Sequence, residues 1–452
     1  DAESAVSITY GEFKREVDRL AAGLQRLGLK KGDRIAVLGK NRLEYFIVYG
    51  AAAALGAIVL PVNWRLAAEE VVYILNDSDP LVLLVDNEFQ PMIQAQGNKL
   101  SGIRHIFNLE PEGGRMKEFS TLLSDAGAFT PADVTADDGF VIIHTAAVAG
   151  RPRGALLSHG NVMAVNLQLN YCFSLSENDV HLNLLPLFHV AGLFMATNSF
   201  HAGALNVNMS KFDAGQAAEL ISRKKVTLFF DFSPILASLL DQQEKSGVDL
   251  SSLKSVMGIE SPETIERYQA ATGGTFYCMY GQTETSCLAS MGRYNDRPGS
   301  AGRVIPLARM RLVDEQDRPV PMGQVGEISV KGPMVFKGYW NLPEDNAYTF
   351  RNGWHHTGDM GRFDEQGFLW YAGRKPEKEL IKPGGENVYP GEVEKVILLH
   401  PAVAKTVVFG VPDPKWKEGI KAVCQLKAGA PLSADGSIDR SKVKALYGGE
   451  QG

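Results

Sequence analysis

Five consecutive residues, Tyr280-Gly281-Gln282-Thr283-Glu284, place an aromatic ring, a flexible glycine, a hydroxyl and a carboxylate side by side. The ring can stack on a base, the hydroxyl can bond a phosphate oxygen, and the carboxylate can hold Mg²⁺ against that phosphate. Such a stretch suits a nucleotide; its plainer reading is a polar corner between a strand and a loop. A second candidate is Thr145-Ala146-Ala147-Val148-Ala149-Gly150-Arg151-Pro152-Arg153-Gly154, which lies between an apolar run at 140–143 and a helical stretch from Asn161 headed by the N-cap-like Ser158. Strand, glycine-bearing loop and helix form the layout in which backbone N–H groups face a phosphate, with Arg151 and Arg153 adding charge. An ordinary surface loop has the same signature. His144, His159, His355 and His356 show no ligand spacing and are read as structural.

These residues need a scaffold, and the hydrophobic pattern supplies one. Strand at 35–38, helix at 43–55, strand at 57–62, helix at 68–76 and strand at 81–85 alternate as in a parallel sheet covered by helices. The pattern recurs with strands at 226–230 and 255–258 and a helix at 213–224. From about residue 308 the texture changes to short alternating strands and turn signals, which predicts a β-rich subdomain over 308–373. Gly373-Arg374-Lys375-Pro376 marks a boundary, with a hinge at 374–376. A compact α+β module follows over 375–452, with a helix at 391–399 and strands at 402–410 and 420–426. The expected fold is therefore α/β: a large layered N-terminal domain over 1–373 and a small mobile C-terminal domain.

Composition sets the outer limits. The 452 residues are 45% hydrophobic and 22% charged, an ordinary globular balance. Forty-six basic against 52 acidic residues give a net charge of −6, and no basic run is long enough to track phosphates, so nucleic acid is not an expected partner. The apolar stretch 45–62 contains Gly50 and Gly56 and ends near Pro61, which reads as a buried helix running into a buried strand rather than a membrane span. Cys172, Cys278, Cys287 and Cys424 lack paired CxxC spacing, which fits a reducing setting. That setting makes a cytoplasmic chain the expectation, and a start with neither a basic-then-apolar leader nor an initiator Met is read as that of a trimmed product. A homodimer is left open.

The five-residue stretch stands in order with Trp354-His355-His356-Thr357-Gly358-Asp359, Tyr371-Ala372-Gly373-Arg374 and Gly384-Gly385-Glu386-Asn387-Val388-Tyr389-Pro390. Together these resemble the adenylate-forming superfamily of acyl-CoA synthetases, adenylation domains and luciferases, over nearly the whole chain. The resemblance implies an AMP-forming ligase in which a hydrophobic carboxylic acid, ATP and Mg²⁺ give an acyl-adenylate that CoA then intercepts. It further implies that Thr283 holds the α-phosphate, Glu284 ligates Mg²⁺, and Asp359 and Arg374 grip the ribose hydroxyls. Tyr280 would lie on adenine beside the backbone of Gly258, Ile259 and Glu260. Thr145, Gly150 and Arg153 would form the phosphate loop. His189, in Leu185-Pro186-Leu187-Phe188-His189, would sit by the reacting carboxylate, its plainer reading being a core histidine. Gly384, Gly385 and Glu386 would approach the pantetheine arm of CoA, glycine permitting close backbone approach. Within this sequence no carrier domain is expected after the small module, which favours CoA over a tethered phosphopantetheine and leaves a separate carrier protein open.

Three departures from the family pattern bear on activity. Ala146 to Ala149 replace most hydroxyls and glycines of the phosphate loop, and Arg153 replaces its lysine; each lost charge-assisted bond costs about 1.5–3 kcal/mol. Ser437 stands in Gly436-Ser437-Ile438-Asp439-Arg440 where the family places its catalytic lysine, and the short spacing before it implies a segment lost between Ala434 and Asp435. Pro376 occupies the swivel position, where a ring fixes φ near −65° and restrains Lys375. These changes frame the alternative: a catalytically weakened relative that binds acyl or AMP ligands as a sensor or scaffold.

Overall fold

The computed structural model describes residues 1–2, 6–110, 117–123, 127–145, 152–375, 381–385, 388 and 390–427. The chain divides into two compact units, one running to Lys378 and the other from Glu379. The division falls just past the 374–376 stretch, because the strand Leu369–Arg374 continues through Gly373 and Arg374 and stays paired in the larger unit. Pro376 lies outside the described residues.

The larger unit is built on three sheets. The first has eight strands, and its centre is parallel: Arg34–Leu38 lies between Ile58–Pro61 and Val82–Val85, with His105–Asn108 beyond. The helix Leu43–Leu55 joins two of these strands and is buried almost all round, Tyr45 to Tyr49 included, which is why the apolar stretch looked long enough for a bilayer. It ends at Gly56 in the left-handed region, φ 65°. The helix Tyr10–Arg26 starts on a Thr9–Glu12 capping box and buries Val17, Leu20, Ala21 and Leu24. No helix among the described residues is long and apolar enough to cross a membrane.

The second sheet has seven strands, with a parallel run from Leu205–Asn208 through Val180–Asn183, Leu228–Phe232 and Ser255–Ile259 to Thr275–Tyr280. Its last parallel strand delivers the Tyr280–Glu284 stretch at its C-terminal end. A third, antiparallel sheet of four strands takes the order Arg309–Val313, Gly326–Lys331, His355–Phe363, Leu369–Arg374. Leu312, Ile328, Val330 and Leu369 pack there against Tyr280, so the small sheet shares a core with the motif it serves.

One local expectation is corrected. The segment after 140–143 is not strand, loop, helix: Gly139–Thr145 turns back on Arg153–Ser158 as an antiparallel hairpin, Thr145 opposite Arg153 and Gly139 opposite Ser158. The helix His159–Phe173 starts only after that second strand, on a Ser158–Asn161 capping box. A whole strand thus separates the loop from the helix N-terminus, so the positive end of that helix does not begin where the loop ends.

In the smaller unit, the helix Pro390–Leu398 is followed by the antiparallel pair Val403–Asp413 and Lys417–Leu426. Gly384 adopts φ 57° and donates its N–H to the Trp416 carbonyl at 3.0 Å. Glu386 and Ser437 lie outside the described residues.

Candidate active site

Asp359 is the centre of the site. It is buried, 3% exposed, on the strand His355–Phe363, directly opposite Arg374 in the register of the neighbouring strand. Its Oδ1 receives the Arg374 guanidinium, Nε to oxygen 3.0 Å. Its Oδ2 accepts from the Tyr280 hydroxyl at 2.9 Å and from the Gln282 side-chain amide at 2.6 Å. A carboxylate buried this deeply needs paired charge and donors on both oxygens, and Asp359 has them. Gln282 also donates to the Thr357 carbonyl at 3.1 Å and meets His355 Nε2 at 3.3 Å, which ties the motif to both ends of the Asp359 segment.

Tyr280 is buried, and its ring lies parallel to the half-exposed ring of Tyr371, centroids 6.3 Å apart at 29°. Burial and then the adjacent Asp359 charge push the Tyr280 hydroxyl well above its ordinary range, and the same two causes, in that order, push Tyr371 up to about 12. Both phenols therefore stay protonated at neutral pH, Tyr280 as the donor to Asp359.

Thr283 opens a short 3₁₀ turn, Thr283–Thr285, and is half-buried; its hydroxyl has no protein hydrogen bond among the described residues. Glu284, next to it, is 8% exposed and accepts the Tyr339 hydroxyl on Oε1 at 2.7 Å. The face of Tyr339 carries the Arg153 guanidinium, 4.2 Å from the ring centroid, and Arg153 Nη1 reaches Asp345 at 2.9 Å. Arg153 is thereby seated by an aromatic face and a carboxylate. Thr145 closes the hairpin beside it, Oγ1 to the Arg153 carbonyl at 3.4 Å. Gly150 lies outside the described residues.

Gly258 sits on Ser255–Ile259, opposite Asp231 on one side and Cys278 on the other. A side chain at Gly258 would overlap the Asp231 carbonyl, so glycine is what lets these strands close up. Beyond it Ile259 is 52% exposed, and Glu260 turns back to accept the Ser261 N–H at 2.8 Å. His189 is half-buried at the N-cap of the helix Val190–His201, its ring 6.4 Å from that of Phe232.

The structure thus joins Tyr280, Asp359 and Arg374 by direct contact and joins Glu284 to Arg153 through Tyr339. Gly258 and Ile259 lie on the strand next to that of Tyr280, with Glu260 just beyond it, and His189 sits on a separate element, at the head of the helix Val190–His201. Gln282, Tyr339, Tyr371 and Asp345 were not singled out by sequence. Gln282 had a signal, since it stands inside the five-residue stretch; Tyr371 adjoins Ala372-Gly373-Arg374; Tyr339 and Asp345 had none.

A buried carboxylate paired with an arginine, with an aromatic ring and a hydroxyl–carboxylate turn brought to it from the seven-stranded sheet, has the donor and acceptor types that suit a sugar diol and phosphates. Known proteins agree with that class. The AMP-binding enzyme family model matches residues 2–340, and the model of the AMP-binding enzyme C-terminal domain matches residues 392–447. Indoleacetate–CoA ligase of Aromatoleum aromaticum is 35% identical over 94% of this chain and 85% of its own length. A fatty acid–[acyl-carrier-protein] ligase of Streptomyces coeruleorubidus is 34% identical over 92% of this chain and 81% of its own. The crystal structure of ATP-bound MatB from Rhodopseudomonas palustris superimposes with a TM-score of 0.76 at 30% identity, covering 98% of this chain and 94% of that one. The chain belongs to the AMP-binding enzyme family, within the adenylate-forming superfamily, and is an AMP-forming acid–thiol ligase.

Proposed function

We propose that this chain activates a hydrophobic carboxylic acid with ATP and passes the acyl group to CoA. A carboxylate oxygen of the acid attacks the α-phosphorus, the bond from that phosphorus to the bridging oxygen breaks, and pyrophosphate leaves. The CoA sulfur then attacks the acyl carbon, its proton passes to solvent, and the acyl–oxygen bond to AMP breaks. Both steps gather negative charge, which preorganised donors and cations stabilise. The observation that carries this reading is the buried Asp359 held by Tyr280, Gln282 and Arg374. Three protein donors leave that carboxylate about one acceptor site for a ribose hydroxyl, and Arg374 beside it shares the grip on the diol.

In this reading Thr283 bonds the α-phosphate, since its hydroxyl is half-buried and has no protein partner among the described residues. Glu284 holds Mg²⁺: Tyr339 takes one of its oxygens, and the other has no protein hydrogen bond among the described residues and suits a hard cation. The bound Mg²⁺ supplies charge neutralisation at the phosphates. Arg153, seated on Tyr339, serves the phosphate loop with Thr145 and Gly150. Gly258, Ile259 and Glu260 flank the adenine on Tyr280, and His189 orients the acid. Gly384, Gly385 and Glu386 receive the pantetheine arm. The acid is hydrophobic, its pocket lined from the 188–194, 257–260 and 279–283 stretches, which are largely apolar apart from His189 and Glu260. Four free cysteines fit a cytoplasmic enzyme.

Pyrophosphate release across a panel of aromatic, alicyclic and aliphatic acids tests the proposal. Release that requires ATP, Mg²⁺ and one acid, and that drops at least about 100-fold in Thr283→Ala and Glu284→Ala, is the expected result. AMP binding without turnover on any acid would overturn it.

A further inference from the structure

The strand that carries Asp359 is not regular. It pairs with Gly326–Lys331 at His355 with Val330 and at His356 with Ser329, then resumes at Met360 with Glu327 and Gly361 with Gly326. Thr357, Gly358 and Asp359 together face a single position, Ile328. Such a bulge strips backbone groups of their ladder partners, and buried ones need substitutes. Gly358 takes φ 72°, a conformation that favours glycine.

The substitutes converge on one buried side chain. Glu327 is 3% exposed, and its Oε1 accepts the Gly358 N–H at 3.0 Å. Its Oε2 receives Lys375 Nζ at 2.7 Å, Arg351 Nη2 at 3.0 Å and His356 Nδ1 at 3.2 Å. The Lys375 backbone N–H in turn donates to the Gly358 carbonyl at 2.9 Å. Glu327, Gly358 and Lys375 therefore close a ring that encloses the residue before Asp359 and the residue after Arg374. Asp317, Glu327 and His356 also have the donor types of a metal site, but Arg351 and Lys375 already supply the positive charge there.

We infer that Glu327 is a positioning residue for the nucleotide: it touches no substrate, but it fixes the bulge and thereby the facing pair Asp359 and Arg374. The inference rests on the proposed role of that pair in gripping the ribose. Because the clamp acts on the diol side alone, its loss weakens nucleotide binding and spares the acid.

The test is AMP binding by calorimetry, the KM values for ATP and acid, and thermal stability, for Glu327→Ala, Glu327→Gln and Asp359→Ala in the full chain. Glu327→Ala is expected to weaken AMP binding about tenfold, with the acid KM changing less than twofold. Glu327→Gln, which keeps an acceptor for Gly358, should recover part of that loss and remains readable if the alanine variant does not fold. Overturning results are AMP binding at the wild-type level in folded Glu327→Ala and Glu327→Gln, or nucleotide and acid terms falling together in step with thermal stability. If Asp359→Ala binds AMP as the wild type does, the nucleotide reading of the site fails and takes the positioning role with it; normal binding in the Glu327 variants alone defeats only the latter.

Discussion

Glu284 shows how little of a site a single residue specifies. Its type and its place after Thr283 suggest a metal ligand, but its orientation comes from Tyr339, whose hydroxyl lies 2.7 Å from Oε1. The Tyr339 backbone N–H is itself held by Asn346 Oδ1 at 2.6 Å, and its ring packs on Phe336, centroids 4.9 Å apart. Burial first, then the Glu284 charge, keep the Tyr339 hydroxyl protonated and therefore donating. Removing it in Tyr339→Phe leaves the ring and the seat of Arg153 in place but releases the carboxylate. Losing a hydrogen bond to a charged group costs about 1.5–3 kcal/mol. If Glu284 must be oriented to bind Mg²⁺, a titration of pyrophosphate release should show a Mg²⁺ requirement at least tenfold higher in the variant. An unchanged Mg²⁺ curve would mean that Tyr339 is a packing residue only.

The strands and helices of the layered unit were legible because burial imposes periods of 2 and 3.6 on short stretches. The 43–55 helix and the 35–38 strand could be read without knowing what they touch. The second strand of the hairpin was not, because Arg153–Ser158 is apolar only over 155–157, between Arg153-Gly154 and Ser158, and its identity as a strand comes from pairing with Gly139–Thr145. The site was legible only through motif order: Tyr280 and Asp359 are 79 positions apart, and no local pattern announces their contact. Glu327 is the clearest case of a residue that sequence passes over, since a single charge in an alternating strand looks like a solvated face. In the four-stranded sheet that charge is buried. Burial works against it, but hydrogen bonds and charge from His356 and Lys375 bring its pKa from 4.5 to about 2. A folded-state pKa below the unfolded value gives stability that is present above about pH 4.5 and is lost as pH falls through about 2. Urea unfolding of wild type and Glu327→Gln should therefore differ most near pH 7 and converge as pH drops through that window. A gap that is constant with pH would show that the carboxylate charge contributes nothing to the sheet.

The two compact units divide between Lys378 and Glu379, and the segment 374–378 that leads to the division begins at Arg374 in the site. Lys375 is fixed at its backbone by Gly358 and at its side chain by Glu327, so the larger unit holds the chain up to that residue. Any rotation that exchanges the two half-reactions must use bonds beyond it. Proline at 376 has φ fixed near −65° and biases Lys375 towards extended backbone, which removes freedom next to a residue already clamped. Pro376→Gly restores that freedom without touching Asp359, Arg374 or Glu284. In this reading the phosphate and ribose contacts of adenylation come from Thr283, Glu284, Asp359 and Arg374 of the larger unit, whereas thioester formation also calls on the Gly384–Glu386 stretch of the smaller unit. Single-turnover measurements of acyl-adenylate formation and of its consumption by CoA should therefore show a change of several-fold in the second rate and less than twofold in the first. Equal changes in both rates would place the swivel elsewhere, with the Lys378–Glu379 junction as the next position to vary.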